Sequence, residues 1–233
     1  MNYRKLISVL ENKTVWIQTH NYPDPDALAC AVGMKEFLSH FGINAKLCHD
    51  GTINKLSASK MLTLLNIDIS EYSKISEIMC ENDAILLVDC QKKTGNTTDM
   101  IGDEVAVIDH HPTIEEVEYK YSDIRITGAC ASIVAEYFKY AGFAPTPLTA
   151  TALSYGIKMD TMHLRRGTST FDIEMLAYLF PFADKKILRD LESNNMELSD
   201  LRGYAKAIEN IKTYGSIGFS YIDFECPDAL FPC

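Results

Sequence analysis

The sequence contains no hydrophobic run long enough to cross a bilayer, which takes about 20 consecutive apolar residues. Residues 1–5 lead into a short amphipathic pattern without the apolar segment of a signal peptide. Yet 47% of the 233 residues are hydrophobic, enough for a substantial core. We therefore expect a soluble, cytoplasmic protein without a membrane partner, longer than the usual single domain of about 100–150 residues.

Cysteine pairs at metal-binding or redox spacing are also missing. The seven cysteines are odd in number and scattered: Cys30, Cys48, Cys80, Cys90, Cys130, Cys226 and Cys233. Several lie in apolar runs, so we expect reduced, mostly buried thiols in a cytoplasmic setting. The spacing argues against a zinc site built from cysteine.

Basic residues are in deficit, with 22 Lys and Arg against 32 Asp and Glu and a net charge of −10. Binding long nucleic acid depends on neutralising phosphates with basic side chains, so the balance argues against long duplex DNA as a partner. The net charge does not exclude a small phosphorylated ligand, because bound divalent cations would make the local charge positive. The sequence also lacks a nucleophile elbow, a Gly-Lys-Ser/Thr phosphate loop and a dinucleotide fingerprint.

What the sequence does contain is a set of short apolar runs that end in acidic residues and histidines. The runs 14–19, 84–88 and 105–108 are followed by His20, Asp24, Asp26, Asp89 and the tripeptide Asp109-His110-His111. Such runs are typical of buried parallel strands, and α/β proteins bind ligands beyond the carboxyl ends of those strands. We therefore expect these side chains to meet at one sheet edge, as in a metal-dependent phosphate hydrolase.

The order of the predicted elements indicates an α/β fold, with a mainly parallel sheet and helices on both faces. The predicted strands cover 14–19 and 43–48 and the runs that end at Asp89 and Asp109, with an extended piece near 119–121. The predicted helices cover 3–11, 25–41, 57–66, 72–81, 130–141, 148–160 and 171–180.

The character of the chain changes after residue 183. Charges recur between 184 and 212 with leucine and isoleucine at helical spacing, which predicts one long polar helix. The alternation over 217–222 predicts a strand. We therefore expect a metal-binding catalytic domain over 1–183, a linker helix over 184–213 and the start of a truncated C-terminal substrate domain over 214–233.

The first acidic pair also fits an ordinary helix start. Asp24 is a typical N-cap, Pro25 suits the first helical position, and Asp26 lies in the first turn. Asp89 could likewise cap a turn. Two carboxylates at i and i+2 can also point to different ions, and two-metal sites hold ions about 3.5–4 Å apart.

The histidines fall into two classes. His110 and His111 are adjacent and follow a buried strand. Adjacent histidines in such a place are rarely core residues, because both rings would need hydrogen-bond partners. His40 and His49 lie outside any cluster, and we interpret them as ordinary surface or satisfied residues.

One more acidic residue, Asp160, ends a predicted apolar helix. It either caps that helix or points across the same cleft. His163 lies three residues on and could share its face as a ligand, a weaker alternative. Arg165 and Arg166 are either anion-binding or solvated charges.

Together the candidate ligands supply two imidazoles and four carboxylates: His20, Asp24, Asp26, Asp89, His110 and Asp160. Such a mixed, carboxylate-rich set suits manganese or magnesium better than a thiol-preferring ion.

With these residues in place, the chain resembles the DHH phosphoesterase family, in the branch of nano-RNases, pAp-phosphatases and RecJ-like enzymes. The resemblance covers about residues 14–180 and rests on four segments: His20-x-x-Pro23-Asp24-x-Asp26-Ala27, Val88-Asp89, Asp109-His110-His111 and Gly156-Ile157-x-x-Asp160-Thr161.

The resemblance implies two Mn²⁺ ions, with Mg²⁺ or Co²⁺ as alternatives. One ion would be held by His20, Asp24 and Asp89, and the other by Asp26, Asp89, His110 and Asp160. His111 would face the substrate phosphate and Asp109 would orient the site, both as catalytic residues. Arg165 and Arg166 are the further candidates for substrate binding.

The implied activity is hydrolysis of short oligonucleotides, pAp or linear dinucleotides by a hydroxide that two metal ions activate. The acidic balance disfavours processive digestion of long strands. An inorganic pyrophosphatase or polyphosphatase and a non-catalytic nucleotide-binding module are the alternatives, and a homodimer stays open.

Two departures from the family pattern stand out. Pro25 replaces a glycine often found between the two aspartates, a change that keeps both ligands. The Gly-Gly-Gly-His motif of the family's associated substrate domain is missing from this sequence. We therefore expect the 233-residue chain to bind metal but to hold its natural substrate weakly.

Overall fold

A computed structural model describes residues 2–193 and 198–223 of the chain. Its strands are β1 (Val15–Gln18), β2 (Ala45–His49), β3 (Ser70–Glu71), β4 (Ala84–Val88), β5 (Asp103–Asp109), β6 (Tyr121–Ile124), β7 (Lys212–Tyr214) and β8 (Ile217–Phe219). Its helices are α1 (Tyr3–Leu10), α2 (Pro25–Ser39), α3 (Leu56–Leu64), α4 (Tyr72–Ile75), α5 (Cys130–Ala141), α6 (Pro147–Asp160), α7 (Thr170–Leu179), α8 (Lys185–Glu192) and α9 (Leu198–Glu209).

Strands β1 to β6 form one parallel sheet in the order β3-β2-β1-β4-β5-β6. This arrangement confirms the α/β fold with a parallel sheet. The chain builds outward from β1 in one direction and then returns to add β4 on its other side. The reversal creates a crevice between the carboxyl ends of β1 and β4, the place where open α/β sheets bind ligands.

The core is thickest on the face that carries α2, α5 and α6, because these helices pack closely. A Cβ atom on Gly33 of α2 would lie 2.6 Å from the side chain of Val134, so only glycine fits at this contact. The opposite face has a smaller cluster around Trp16, whose indole Nε1 donates to Asp83 at 2.9 Å. All five residues of β4 are buried, as expected of a strand between two covered faces.

The start of α2 matches the helix-start interpretation. Asp24 is its N-cap and accepts hydrogen bonds from the backbone N–H groups of Asp26 and Ala27, with Pro25 in the first turn. The Oδ1 atom that caps the helix is also the Asp24 oxygen that lies 3.8 Å from His20 Nε2, so the capping contact and the approach to the first candidate ligand occur at the same side of the carboxylate.

Two predicted elements near the sheet edges need correction. The helix predicted over 72–81 is only the single turn α4, since the chain turns at Cys80, whose N–H donates to Asp83. Before α4, β3 pairs with the end of β2, a contact that sequence periodicity did not indicate. The extended piece predicted near 119–121 leads into β6, which begins only at Tyr121.

The single helix predicted over 184–212 is wrong. Helix α8 ends at Ser193, whose backbone is extended and whose N–H donates to Arg189. Helix α9 begins at Leu198, and 194–197 lie outside the described residues. The predicted strand over 217–222 is β8, which pairs with β7 in an exposed antiparallel hairpin.

The five cysteines within the described residues are free thiols, and four of them are buried. Cys226 and Cys233 lie outside the described residues, as does the 224–233 part of the expected C-terminal domain. Among the helices of the described ranges, none is long and apolar enough to cross a membrane.

Candidate metal centre

The crevice between β1 and β4 collects all six candidate ligands. They form two triads of ligand atoms, each within 4.8 Å of one another. The first triad is His20, Asp24 and Asp89, and the second triad is Asp26, His110 and Asp160. Asp89 also joins a further grouping with His110 and His111, so it links the two triads.

Asp89 lies at the centre of this arrangement. One of its carboxylate oxygens lies 3.7 Å from His20 Nε2 and the other 3.4 Å from His110 Nε2. Its backbone is left-handed, with φ of 59°, a conformation that aspartate and asparagine tolerate better than most residues. The carboxylate is buried, and its Oδ1 has no hydrogen-bond partner among the described residues. A buried carboxylate oxygen without a donor fits a position on a cation.

The first triad is held by loops that are hydrogen-bonded to each other. His20 Nδ1 bonds to the carbonyl of Asn21 at 2.8 Å, which leaves Nε2 facing the carboxylates, 3.8 Å from Asp24. The N–H of Asn21 donates to the carbonyl of Asn96, and its side-chain oxygen accepts from the N–H and hydroxyl of Thr98. The β1 turn is thereby fixed to the loop that follows β4.

The second triad is anchored at the helix ends. Asp26 accepts hydrogen bonds from the backbone N–H groups of Cys130 and Ala131 at the start of α5, at 2.7 and 3.1 Å. His110 Nδ1 donates to the carbonyl of Thr127, so Nε2 points to Asp160 at 3.3 Å. These contacts leave the metal-facing atoms of the triad oriented toward one point.

Gly156 allows helix α6 to approach this cluster. A Cβ atom there would lie 2.8 Å from Ala29 and 2.9 Å from Asp26 Oδ1. Because α6 must pass this close for Asp160 to reach the second triad, glycine is required at position 156.

The acidic side chains repel one another strongly. Burial, and then the charges of neighbouring carboxylates, raises the pKa of Asp26 and of Asp89 well above the usual range. Burial also raises the pKa of Asp160. Burial opposes ionisation of Asp24, but the interaction with His20 outweighs it and lowers the pKa of Asp24 to about 2. So many carboxylates in one crevice fit a site that divalent cations neutralise.

Asp109 and His111 form a second layer beside the triads. Asp109 is buried and accepts from the N–H of His110, from His111 Nδ1 at 2.9 Å and from Gln91 Nε2 at 2.6 Å. The bond to Asp109 raises the pKa of His111, whose side chain is 52% exposed. Asp109 thus orients the His111 ring through Nδ1, and within 2–193 and 198–223 no hydrogen bond to its Nε2 is found.

Gln91 was missed in the sequence. It is 2% exposed and also donates to the carbonyl of His111. A polar residue two positions after a strand-end aspartate was the available signal.

A cavity of about 360 Å³ opens next to His111. Its walls are mostly apolar with a few amide and hydroxyl groups: Cys90, Gln91, Thr94, Asn96, Asp109, His111, Pro112 and Ile114. This volume lies at the lower end of the range of small-molecule sites, about 300–1,000 Å³, so part of a ligand could enter beside His111.

The turn after Asp160 carries the remaining candidates. Met162, His163 and Leu164 all have left-handed backbones. The carbonyl of Thr161 accepts from the N–H groups of both Arg165 and Arg166, which are exposed. The field of Arg166 favours ionised Asp160. His163 is exposed and belongs to none of the ligand groupings found among the described residues.

The two other histidines have the ordinary surroundings we expected. His40 stacks on Phe143 with ring centroids 4.4 Å apart, away from the ligand groupings. His49 is buried at the end of β2, and its Nδ1 lies 3.3 Å from the carbonyl of Asp50.

The model of the DHH family N-terminal domain matches residues 14–157. The chain belongs to the DHH family. The matched range contains five of the six candidate ligands, and Asp160 follows it by three residues.

Three curated relatives place this DHH chain among longer proteins. It is 31% identical over 208 residues to "Uncharacterized protein MJ1633" of Methanocaldococcus jannaschii, covering 88% of this chain and 43% of that protein. It is 25% identical to a probable manganese-dependent inorganic pyrophosphatase of Clostridium acetobutylicum, covering 73% of this chain and 55% of the relative. It is also 25% identical to the probable bifunctional oligoribonuclease and PAP phosphatase NrnA of Streptococcus mutans, covering 85% and 62%. The chain thus spans roughly half the length of these relatives.

A solved structure agrees with the fold of this DHH chain. An exopolyphosphatase-related protein from Bacteroides fragilis superposes with a TM-score of 0.72 at 18% identity, covering 91% of this chain and 65% of that one.

Asp172 holds the segment that precedes α5 and so supports the site indirectly. This residue was not identified from the sequence. Its carboxylate is fully buried and accepts from the Thr127 hydroxyl, the Gly128 N–H and the hydroxyls of Ser132 and Ser169. Because Thr127 in turn holds His110, Asp172 fixes one ligand of the second triad. The available signal was the Ser169-x-x-Asp172 pattern of a capping box, which the structure contains.

Proposed function

We propose that this DHH-family chain is a metal-dependent phosphoesterase that hydrolyses short oligonucleotides and small phosphorylated nucleotides, with pAp and linear dinucleotides as its substrate class. The single observation that carries the proposal is Asp89, a buried carboxylate that lies between His20 of the first triad and His110 of the second. One of its oxygens lacks a hydrogen-bond partner among the described residues.

In this proposal His20, Asp24 and Asp89 hold one divalent cation, and Asp26, Asp89, His110 and Asp160 hold the other. Manganese is the proposed ion, since carboxylate and imidazole ligands suit it and one relative is named as manganese-dependent. When bound, the pair of cations supplies Lewis-acid activation of a water molecule and of the phosphoryl group.

The side chains of the chain itself supply orientation and charge. His111 faces the crevice, and Asp109 fixes its ring through Nδ1, so Nε2 donates to a phosphate oxygen when the ring is protonated. Gln91 holds Asp109 in turn. Arg165 and Arg166 at the mouth attract the anionic remainder of the substrate, and the cavity beside His111 accommodates an uncharged part.

The nucleotide class is supported by the name of one relative, a probable oligoribonuclease and PAP phosphatase. A second relative is named as an inorganic pyrophosphatase, which keeps pyrophosphate as the alternative substrate. We further propose that 1–183 form the catalytic domain, that 184–213 connect it to residues from 214 onward, and that the protein works in the cytoplasm.

The test is a parallel assay of manganese-dependent release of phosphate or nucleotide from pAp, pApA, a short RNA and pyrophosphate. We expect turnover of the nucleotide substrates above that of pyrophosphate, abolished by chelation and restored by Mn²⁺. Preferred turnover of pyrophosphate would replace the nucleotide assignment. Stoichiometric metal binding without turnover of any of the four substrates would favour a non-catalytic module.

A further inference from the structure

Tyr22 has an unusual conformation at an informative place. It lies between His20 and Asp24 of the first triad, and its backbone is left-handed, with φ of 57°. For a bulky residue this conformation is an outlier, and strain of this kind concentrates at ligand-binding and catalytic sites. The residue is nevertheless 62% exposed, so burial of its ring does not explain the strain.

The surroundings of Tyr22 hold it firmly in this conformation. Its N–H donates to the carbonyl of Asp50 at 3.0 Å. Its ring lies against the backbone of Gly51, where a Cβ atom would be 2.6 Å from Cε1 and 2.8 Å from Cδ1. Gly51 itself has φ of 73°, so both space and conformation require glycine there. One side of the ring therefore packs on Gly51, and the rest of its surface is open to solvent.

The position of the ring relates it to the metal centre. Gly51 follows β2, and β2 pairs in parallel with β1, the strand that leads to His20. Neighbouring strands lie about 4.8 Å apart, so the ring lies at the carboxyl edge of the sheet, about one strand away from the end of β1. This is the edge where the crevice opens.

We propose that Tyr22 is a stacking platform for the nucleobase of a ligand whose phosphate lies at the metal centre. The inference rests on the proposed function and narrows its substrate class to nucleotides that carry a base. A neutral aromatic ring has no flat partner to stack on in an inorganic phosphate, whereas every nucleobase has a π-face that can stack on the ring. The platform therefore favours nucleotides over pyrophosphate at the same metal centre.

The experiment compares two probes that differ only in the base: adenosine 5′-monophosphate and ribose 5-phosphate. Their affinities for the full chain in Mn²⁺ are measured by calorimetry, a readout independent of turnover. We expect the wild-type protein to bind the nucleotide at least about fivefold more tightly, the low end for one stacked base. The Y22F variant should keep this preference, because it keeps the ring.

The decisive variant is Y22N, because asparagine tolerates the left-handed backbone and removes only the ring. Its two affinities should become equal, while ribose 5-phosphate binding stays within about twofold of wild type. Y140N is the matched control, since Tyr140 is 64% exposed on α5. It should retain the preference, and melting temperatures verify that all variants are folded.

The two affinities of the wild-type protein already test the proposal without the variants. Equal wild-type affinities, failure of both probes to bind, or a preference that survives in Y22N would overturn it. A wild-type protein that prefers the nucleotide through Tyr22 but hydrolyses none of the assayed esters would refute the phosphoesterase function and leave the platform standing.

Discussion

The two triads of the candidate metal centre meet at Asp89, which belongs to the first and lies 3.4 Å from His110 of the second, but they are anchored by different parts of the fold. In the first triad, His20 belongs to a turn that hydrogen bonds of Asn21 connect to the loop after β4. In the second triad, Asp26 is held by the first N–H groups of α5, and His110 by the carbonyl of Thr127 just before that helix.

This difference separates the two halves of the centre energetically. The geometry of the second triad depends on the packing of α2, α5 and α6, which form the thickest part of the core. The geometry of the first triad depends on polar contacts among partly buried loops, whose hydrogen bonds each contribute only about 0.5–1.5 kcal/mol. We therefore expect damage to the helical layer to affect the second ion and damage to the loops to affect the first.

The largest effect is expected from D89N, which removes the carboxylate that lies between the two triads and that we propose both ions use. Asparagine keeps the left-handed backbone of residue 89, so the fold should persist. Both manganese affinities should fall together. Turnover should fall by more than about a hundredfold, since even outer-shell partners of metal ligands are worth about 10–100-fold.

Calorimetric manganese titration and turnover of pApA measure this loss. D99N is the matched control, because Asp99 is an exposed carboxylate paired with Lys92 on the same loop. A folded D89N protein that still binds two ions would reject the shared role.

The next largest effect is expected from D24N, which breaks only the first triad. Asparagine is as good an N-cap as aspartate, so α2 and the free energy of unfolding should be unchanged. One manganese ion per chain should be lost and the other kept, with turnover reduced about tenfold to a hundredfold. D24A should show the same metal loss but also lower stability by about 1 kcal/mol. Equal stability of the two variants would contradict the capping role.

D172N tests the helical support of the second triad. The loss of a buried acceptor for several donors should lower the free energy of unfolding by about 2–3 kcal/mol at neutral pH. Burial opposes ionisation of Asp172, but hydrogen bonds from Ser132 and Ser169 lower its pKa below the usual value of an aspartate. Its contribution is therefore present above the pKa of the unfolded chain and is lost as pH falls through the lower folded-state pKa.

Urea unfolding from about pH 6 to about pH 3 measures this effect of Asp172, and the gap between D172N and wild type should narrow toward low pH. A constant gap would show that the charge of Asp172 is not what stabilises the turn at Thr127.

The smallest effect is expected from N21A, which removes the side-chain acceptor of two hydrogen bonds from Thr98. The site is partly exposed, so water replaces much of the loss, and stability should fall by no more than about 1 kcal/mol. Only the first manganese affinity should weaken, by a few fold. A change confined to the second ion would break the proposed division between loops and helices.

The candidate ligands could be located from the sequence because each marks a local event. His20, Asp89 and His110 follow apolar strands, and Asp160 ends an apolar helix, so local periodicity was enough. The α/β fold followed from the alternation of the same elements. The boundaries of α5, α6 and α7 were predicted to within one residue for this reason.

The supporting residues could not be located in the same way, because their partners are distant in sequence. Gln91 meets Asp109 across 18 residues and Asp172 meets Gly128 across 44, contacts that only the packed fold defines. The break at Ser193 and strand β7 were missed, because apolar residues at helical spacing continue past the break up to Ile211, next to the start of β7. Periodicity records which face is apolar but does not record where the backbone turns.

The separation of the ligands along the chain has a consequence during translation. The first triad is encoded entirely between residues 20 and 89, whereas the second triad waits for Asp160. At about 5–20 residues per second, the ribosome needs roughly 4–14 s to add the intervening stretch. A nascent chain thus exposes a complete set of first-triad ligands, along with the unshielded charge of Asp26, before the helix that completes the second triad has been made. Divalent cations present in that interval would therefore meet the first candidate site on a partly synthesised protein, before the second triad exists.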